Sequence, residues 1–197
     1  LISTNLIAQP FNLFDFSLIT KNDLHVNHSD TQGRALVGGN ARIHHYTFSD
    51  KLNRRNLKNN PWGLIINGDL TYTSDLESSN MRAVFEGKTA VGGTVSNSNV
   101  TFSSEIYNIS PNSIINVPEL FKAVYKLSEI LKTRINSNHV YSCYMGRCAI
   151  SLMGYNKVNY YEIDGKTLSQ SSTFTIESND NSTNIINVSG KYIHLAK

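Results

Sequence analysis

The sequence predicts a mainly β protein that is built from many short strands and contains one long α-helix. Of its 197 residues, 24 are Asn, 23 are Ser and 14 are Thr, whereas only 17% are charged. Small polar residues suit turns and the solvent side of strands, while helical proteins cover their surfaces with Glu, Lys and Ala. The composition therefore disfavours a helical bundle. The 40% hydrophobic content disfavours a disordered chain.

Short apolar runs recur along the whole chain, and most of them end at Gly, Asn or Asp. Runs of this length between turn residues are typical of short strands joined by tight turns. The runs are Phe11–Ile19, Ala35–Val37, Leu64–Ile66, Arg82–Phe85, Thr89–Val91, Val100–Phe102, Cys148–Met153, Val158–Ile163, Thr173–Ile176, Asn184–Val188 and Tyr192–Leu195.

Apolar triplets in three similar segments precede a glycine-containing turn: Arg34–Asn40, Gly63–Asp69 and Lys88–Thr94. Such triplets suit the coils of a β-solenoid, in which we expect the corner glycines to adopt positive φ. The spacing between the copies is unequal, and a β-sandwich also uses short strands and glycine turns. The pattern by itself leaves a solenoid and a sandwich open.

The segment Pro118–Ile135 is predicted to be the long helix. Pro118 suits the first helical turn, and Glu119 favours the positive end of the helix dipole. We expect its apolar stripe to pack on the surface of the β-structure. The stripe consists of Leu120, Val124, Leu127 and Leu131.

The two cysteines, Cys143 and Cys148, lie in a predicted hairpin with a four-residue turn from Tyr144 to Arg147. Directly opposed cysteines in a hairpin are close enough for a disulfide, which would indicate a secreted or surface protein. The alternative is a pair of buried thiols in a reducing compartment. Zinc is not predicted here, because the nearest histidine is His139 and no second ligand pair exists.

The charge and hydropathy of the chain predict neither a nucleic-acid partner nor direct membrane insertion. The net charge of +3 is weak and dispersed, and no run of 18 apolar residues occurs. One basic cluster is interpreted as a solvated loop. It consists of Lys51, Arg54, Arg55 and Lys58.

We predict no catalytic residue, metal site or cofactor. The two histidine pairs are His25 with His28 and His44 with His45. In extended backbone, the two members of either pair point to opposite faces of the strand, so neither pair forms a ready metal site. Phosphate-loop, dinucleotide-binding, nucleophile-elbow and zinc-protease motifs are absent from the sequence.

The segment Asp30–Ile43 resembles the opening signature of the choice-of-anchor A domain family, an adhesive module of cell-surface proteins. The similarity lies in an aspartate followed by Gly-Arg-x-Leu-Val-Gly-Gly-Asn and then a strand. Further segments are similar to later parts of the family pattern, in the same order. The pieces are Phe11–Phe14, Leu64–Leu70, Ala90–Gly93, Pro118–Ile135, Tyr161–Asp164, Leu168, Phe174–Ile176 and Ile185–Gly190.

The resemblance implies one adhesive domain over residues 1–197, with a β-helix fold like that of ice-binding-type domains. We therefore predict an irregular right-handed β-helix, a solenoid, with one long α-helix packed alongside. The resemblance also implies a secreted or cell-surface protein, part of a longer anchored chain, that binds a protein or glycan ligand without catalysis. The signature residues are expected to be structural: corner glycines at Gly38, Gly39, Gly92 and Gly93, and Asn40 bonded to its own turn.

Tyrosines are our candidates for the ligand-binding face, because they supply amphipathic contact area. The candidates are Tyr141, Tyr144, Tyr155, Tyr160 and Tyr161. They could equally do no more than cover strand surfaces. Two other functions stay open: a polysaccharide lyase or hydrolase, which requires carboxylates clustered across coils, and a structural spacer or coat subunit that self-associates.

Overall fold

The computed structural model describes residues 11, 15–52, 54–73, 81–83, 85–97, 100–134, 138–144 and 147–190. These residues are mainly in β-strands, as predicted. The chain divides into two compact units, Leu1–Ala123 and Val124–Lys197, and each is described by itself. The predicted strand Tyr192–Leu195 and most of Phe11–Phe14 lie outside the described residues.

The described elements follow one another with short connections. The strands are β1 (Phe16–Thr20), β2 (Leu24–Thr31), β3 (Arg34–Val37), β4 (Ala41–Phe48), β5 (Trp62–Ile66), β6 (Leu70–Thr73), β7 (Met81–Ala83), β8 (Lys88–Val91), β9 (Val95–Asn97), β10 (Val100–Phe102), β11 (Ile106–Asn108), β12 (Asn138–Tyr144), β13 (Arg147–Gly154), β14 (Val158–Asp164), β15 (Thr173–Ser178) and β16 (Thr183–Ser189). The helices are α1 (Arg54–Asn59), α2 (Val117–Lys132) and α3 (Gly165–Ser169).

Two parallel sheets dominate the first unit, and the chain alternates between them. The first sheet has the strand order β1-β3-β5-β8-β11, and the second has the order β2-β4-β6-β9. In the first sheet Ala35 pairs with Leu64, and Leu64 with Thr89. There is also a third set of parallel pairings. Strand β7 pairs with β10, and Phe48 forms an isolated bridge with Phe85. Strands that are consecutive in sequence therefore belong to different sheets.

The inner faces of these sheets share one apolar core. The first sheet contributes residues such as Val37 and Ile66, and the second contributes Ile43 and Leu70. Phe48 and Phe85 complete the core, with their ring centroids 5.8 Å apart. All six side chains are almost completely removed from water. Burial on this scale is the main favourable term that holds the two sheets together.

The outer face of the first sheet is also apolar, and it is covered. Leu36, Ile65 and Ala90 pack against Ile114, Ile115, Val117 and Leu120. Helix α2 therefore lies against the β-structure through its first turn, as the amphipathic pattern predicts. It begins one residue before Pro118, and its described extent ends at Lys132. Val124, Leu127 and Leu131 are only half-buried.

The turns between the two sheets stack directly on one another. The Gly39 N–H donates to Asn22 O, the Gly68 N–H to Gly39 O, and the Gly93 N–H to Gly68 O, at 2.9 to 3.1 Å. Side-chain oxygens follow the same path. Asp23 Oδ1 accepts from the Asn40 N–H at 2.7 Å, Asn40 Oδ1 from the Asp69 N–H at 2.8 Å, and Asp69 Oδ1 from the Thr94 N–H at 2.7 Å. We name Asp23, Asn40, Asp69 and Thr94 the turn ladder.

The turn ladder corrects two predictions about the glycine signature. Gly38, Gly39, Gly92 and Gly93 do not have positive φ; among the described glycines only Gly87 and Gly190 do. They are required because the neighbouring turn lies too close for a side chain: a Cβ at Gly38 would lie 2.1 Å from Lys21 O. Asn40 likewise accepts a bond from the next turn and not from its own backbone.

Arg34, the charged residue of the same signature, is buried and clamps a loop. Its Nε donates to Trp62 O at 3.0 Å, and its Nη2 donates to Asn60 O at 2.9 Å. Burial lowers the pKa of Arg34 from its usual value, and Asp15 opposes this shift. The loop after α1 is therefore fixed to strand β3. The basic segment that was predicted to be a loop contains the short helix α1.

The second unit contains an antiparallel hairpin and two parallel pairs. Strand β12 pairs with β13, β13 with β15, and β14 with β16. Its core consists of Ile150, Leu152, Tyr161 and Ile163, with Leu168 and Ile186 packed against them. Asn159, fully buried, donates to Gly154 O at 3.2 Å and to Asn184 Oδ1 at 3.0 Å. A buried polar group without such partners would destabilise the fold.

The predicted disulfide joins Cys143 to Cys148, whose Cα atoms are 4.1 Å apart. The two residues are directly paired in the β12–β13 ladder, and the ladder continues to the pair Tyr144–Arg147. The connection is therefore tighter than the predicted four-residue turn, because only residues 145 and 146 lie beyond the paired positions. Among the described residues there is no free cysteine.

Removal of one step of the turn ladder should destabilise the first unit. In Asn40→Ala the Asp69 N–H loses its acceptor, and we expect the free energy of unfolding to fall by about 1 kcal/mol. The measurement is urea denaturation followed by circular dichroism. The matched control is Asn27→Ala, which removes an exposed asparagine of β2 and should change stability by less. Equal stability of Asn40→Ala and the wild type would contradict the structural role of the ladder.

Asp69 should contribute to acid sensitivity. The backbone N–H and the hydroxyl of Thr94 donate to its carboxylate, and these bonds lower the pKa of Asp69 below its usual value. Because the folded pKa lies below the unfolded one, the stabilisation exists at neutral pH and is lost as the pH falls through the folded pKa. Asp69→Asn keeps an acceptor oxygen but no titrating group.

We therefore expect the urea midpoint of Asp69→Asn to fall less than that of the wild type between pH 7 and about pH 3. An identical fall in both proteins would contradict the assigned role of the Asp69 carboxylate.

Candidate functional site

The outer face of the second sheet carries two rows of polar side chains. In strands β2, β4 and β6 the residues alternate, so that Leu24, Ile43 and Tyr72 point into the core and their neighbours point outwards. Parallel register places the outward residues beside one another. One row is His25, Arg42, Thr71 and Ser96; the other is Asn27, His44 and Thr73. We name these seven residues the polar face.

The polar face is accessible and slightly concave. A cleft of about 480 Å³ is lined by residues of both rows, from His25 across Arg42 to Thr71. His44 and Thr73 are joined by a hydrogen bond between Nδ1 and Oγ1 at 3.0 Å. The face offers donors, acceptors and one guanidinium on a rigid sheet. Such an arrangement suits recognition of a polar surface by many individually weak contacts.

Three histidines meet at the end of this face. His28 lies on β2, and His44 and His45 lie on β4; one ring nitrogen from each lies within 4.8 Å of the others. The ring centroids of His28 and His45 are 4.9 Å apart, and those of His44 and His45 are 4.6 Å apart. Neutral imidazole nitrogen is a common ligand for transition metals. The expectation that these histidines diverge is therefore wrong.

The backbone explains why the alternation argument fails at this point. His28 has φ of 49° and His45 has φ of 47°, both in the left-handed region. Non-glycine residues adopt this conformation uncommonly. The two lie between register pairs Asn27–His44 and Ser29–Tyr46, so both strands bend at the same level. The bend turns consecutive residues to the same side, which a strictly extended strand forbids.

A second cleft of about 510 Å³ lies elsewhere in the first unit, and it contains two carboxylates. Its lining includes Glu86, Lys88, Ser104 and Glu105. The Tyr107 hydroxyl donates to Glu105 Oε2. Hydrogen bonding with Tyr107 raises the pKa of Lys88 above its usual value. The Ser104 hydroxyl is buried and has no hydrogen-bond partner among the described residues.

The five predicted tyrosines do not form one face. Tyr144 and Tyr155 are 76% and 63% exposed, and Tyr141 is 41% exposed. Tyr160 is half-buried, whereas its neighbour Tyr161 is only 1% exposed and lies in the core of the second unit. Tyr161 therefore cannot belong to an exposed face in this structure. Ligand binding by the exposed tyrosines stays a prediction.

The sequence-based reading missed the polar face. Its residues sit in strands without a continuous apolar run, so β2 was not predicted, and β4 was expected only as the strand that follows the Val-Gly-Gly-Asn signature. The available signal was the alternation of apolar and polar residues in Leu24–Asn27 and in Ala41–His44. That alternation is only four residues long in each case.

No helix in the described part of the chain is long and apolar enough to cross a membrane.

Comparison with known proteins gives one family and no individual relative. No curated protein and no solved structure matches the chain significantly. The family model described as "Putative Ice-binding-like adhesive domain" matches residues 12–196, which is nearly the whole sequence. This agrees with the resemblance to the choice-of-anchor A type, and the chain belongs to this family of ice-binding-like adhesive domains.

Proposed function

We propose that the chain is a non-catalytic adhesion domain that binds a protein or glycan on a surface through the polar face. The single observation that carries the proposal is that one of the two large sheets has a buried outer face and the other has an exposed one. The outer face of the first sheet is covered by apolar residues between Ile114 and Leu120, whereas the outer face of the second sheet exposes rows of polar residues that are in register. An exposed array of donors and acceptors held in register is the feature that a broad adhesive contact requires.

The parallel ladders support a β-helix as the scaffold of this face. The chain visits the first sheet, then the second, and returns one strand further along the first, with the turn ladder stacked at one corner. We propose that each such circuit is one coil of an irregular β-helix, and that residues 1–197 act as one adhesive module. Stacked coils make a broad surface, since each adds one strand to the face.

An extracellular or cell-surface location fits both the family and the disulfide. Cys143 and Cys148 are bonded, and disulfides persist mainly in oxidising environments. We propose that the domain is part of a longer anchored protein, as adhesive modules generally need attachment to the cell that carries them.

The polar face does not have the composition of an ice-binding surface, despite the family's description. Thr71 and Thr73 form one outward pair, but the neighbouring strands present Arg42 and His44 at the corresponding positions. The guanidinium of Arg42 beside Thr71 and the imidazole of His44 beside Thr73 interrupt the regular threonine array that such a surface needs. We therefore propose a macromolecular ligand and not ice.

Binding arrays combined with variants that change the charge of the polar face test the proposal. The purified chain is applied to glycan and matrix-protein arrays, and its best ligand is then titrated against variants. We expect Arg42→Glu and Thr71→Arg, both on the polar face, to weaken binding at least about tenfold. The matched control is Lys126→Glu, an exposed charge reversal on α2, which should bind like the wild type.

The same titration separates the polar face from the tyrosine prediction. The double variant Tyr144→Ser with Tyr155→Ser removes the two most exposed candidates. Unchanged binding by Arg42→Glu and Thr71→Arg, together with loss in the tyrosine variant, would move the ligand site to the second unit. That result would overturn the polar face.

A carbohydrate-active enzyme is the second candidate, and the cleft with Glu86 and Glu105 favours it. Glycosidases use a pair of carboxylates that flank the scissile bond. Release of reducing ends from pectin-like and chitin-like polymers, lost in Glu86→Gln and in Glu105→Gln, would support this alternative. Absence of release would count against this alternative.

A further inference from the structure

We infer that His28, His44 and His45 form a binding site for one divalent transition-metal ion of the zinc type. The site adjoins the proposed adhesive contact and shares His44 with the polar face. Its three ligands come from two neighbouring strands, so an ion would join β2 to β4 at the bend. The argument rests on convergence, backbone conformation and ligand chemistry.

The convergence is close to what a zinc ion requires. Zinc bonds to imidazole nitrogen at about 2.0–2.1 Å, so ligand nitrogens around it lie about 3.4 Å apart. The three nitrogens already lie within 4.8 Å of one another. His28 is exposed and the other two are half-buried, so small rotations of the side chains can close the remaining distance. The exposed side leaves a fourth position for water or for an atom of a surface ligand.

The backbone conformation at His28 and His45 also supports a functional site. Glycine adopts positive φ most easily, and Asn, Asp and His are the side chains most often found there besides glycine. At both bent positions, 28 and 45, the residue is histidine, the one of these types that is also a good ligand for transition metals. Strained backbone conformations concentrate at functional sites, where the side chain justifies the conformational cost. A third histidine at position 44 faces the other two.

The ligand set selects the class of metal. Imidazole suits Zn²⁺, Cu²⁺ and Ni²⁺, whereas Ca²⁺ and Mg²⁺ are bound by oxygen ligands. The cluster consists of three imidazoles and contains no carboxylate. The Thr73 hydroxyl at Nδ1 of His44 orients that ring. When this bond is kept, Nε2 is the atom of His44 that can coordinate the ion, as is common where a second-layer partner fixes a histidine.

Isothermal titration calorimetry of the untagged full chain with zinc chloride tests the site. We expect one Zn²⁺ per chain with a Kd on the order of 10 μM or tighter, and no competition from millimolar Ca²⁺ or Mg²⁺. His28→Asn and His45→Asn should each weaken binding at least about tenfold. Asn tolerates the left-handed backbone at these positions, so both variants should keep the fold.

Two further variants keep the test decisive. His25→Asn is the matched control: it lies on β2 and lines the polar face, but it is outside the cluster, so its zinc affinity should equal that of the wild type. His44→Gln removes a ligand at a position without positive φ and serves if the bent positions do not tolerate change. Lack of zinc binding by the wild type would overturn the inference. Wild-type zinc affinity in the folded variants His28→Asn, His45→Asn and His44→Gln would also overturn the inference, because the ion would then be bound elsewhere.

Discussion

The close stacking of successive turns is the constraint on which the first unit depends. The turns at Gly39, Gly68 and Gly93 approach so closely that backbone N–H and carbonyl groups of neighbouring turns bond directly. Glycine permits this approach because a Cβ would collide with the turn below. Once the turns are stacked, the register of the strand residues beside them is fixed in both parallel sheets. Further from these turns the register shifts, at Phe16 in β1 and at Trp62 in β5.

The turn ladder adds a second layer of order to the stack. The side-chain oxygens of Asp23, Asn40 and Asp69 each accept the N–H of the following turn, and Thr94 is the last donor. A neutral asparagine thus separates the two carboxylates. Like charges in adjacent positions destabilise a ladder, so this order keeps the acceptors while avoiding direct repulsion. The signature Val-Gly-Gly-Asn therefore serves to stack the turns.

The two large sheets play different parts because their strands have different patterns. Strands β3 and β5 are apolar on both faces, and their outer face is buried beneath residues such as Val117 and Leu120. Strands β2 and β4 are apolar only on the inner face. Apolar residues do not pack on their polar outer side chains, and the strand register places these side chains beside one another in a polar array. The bend at His28 and His45 then brings three histidines together from the two strands.

The sequence by itself determined the β class, the one long helix, the hairpin with its disulfide and the family. These features depend on local signals: composition, the stripe around Leu120, the close cysteine pair and the ordered motifs. Tertiary structure alone decided which residues form the polar face and the histidine cluster. Arg42 and Thr71 are neighbours only through strand pairing. The bend at His28 depends on a positive φ, which the alternation of apolar and polar residues does not predict. Contacts between strands that are distant in sequence depend on register, which is a property of the paired strands and not of any single segment.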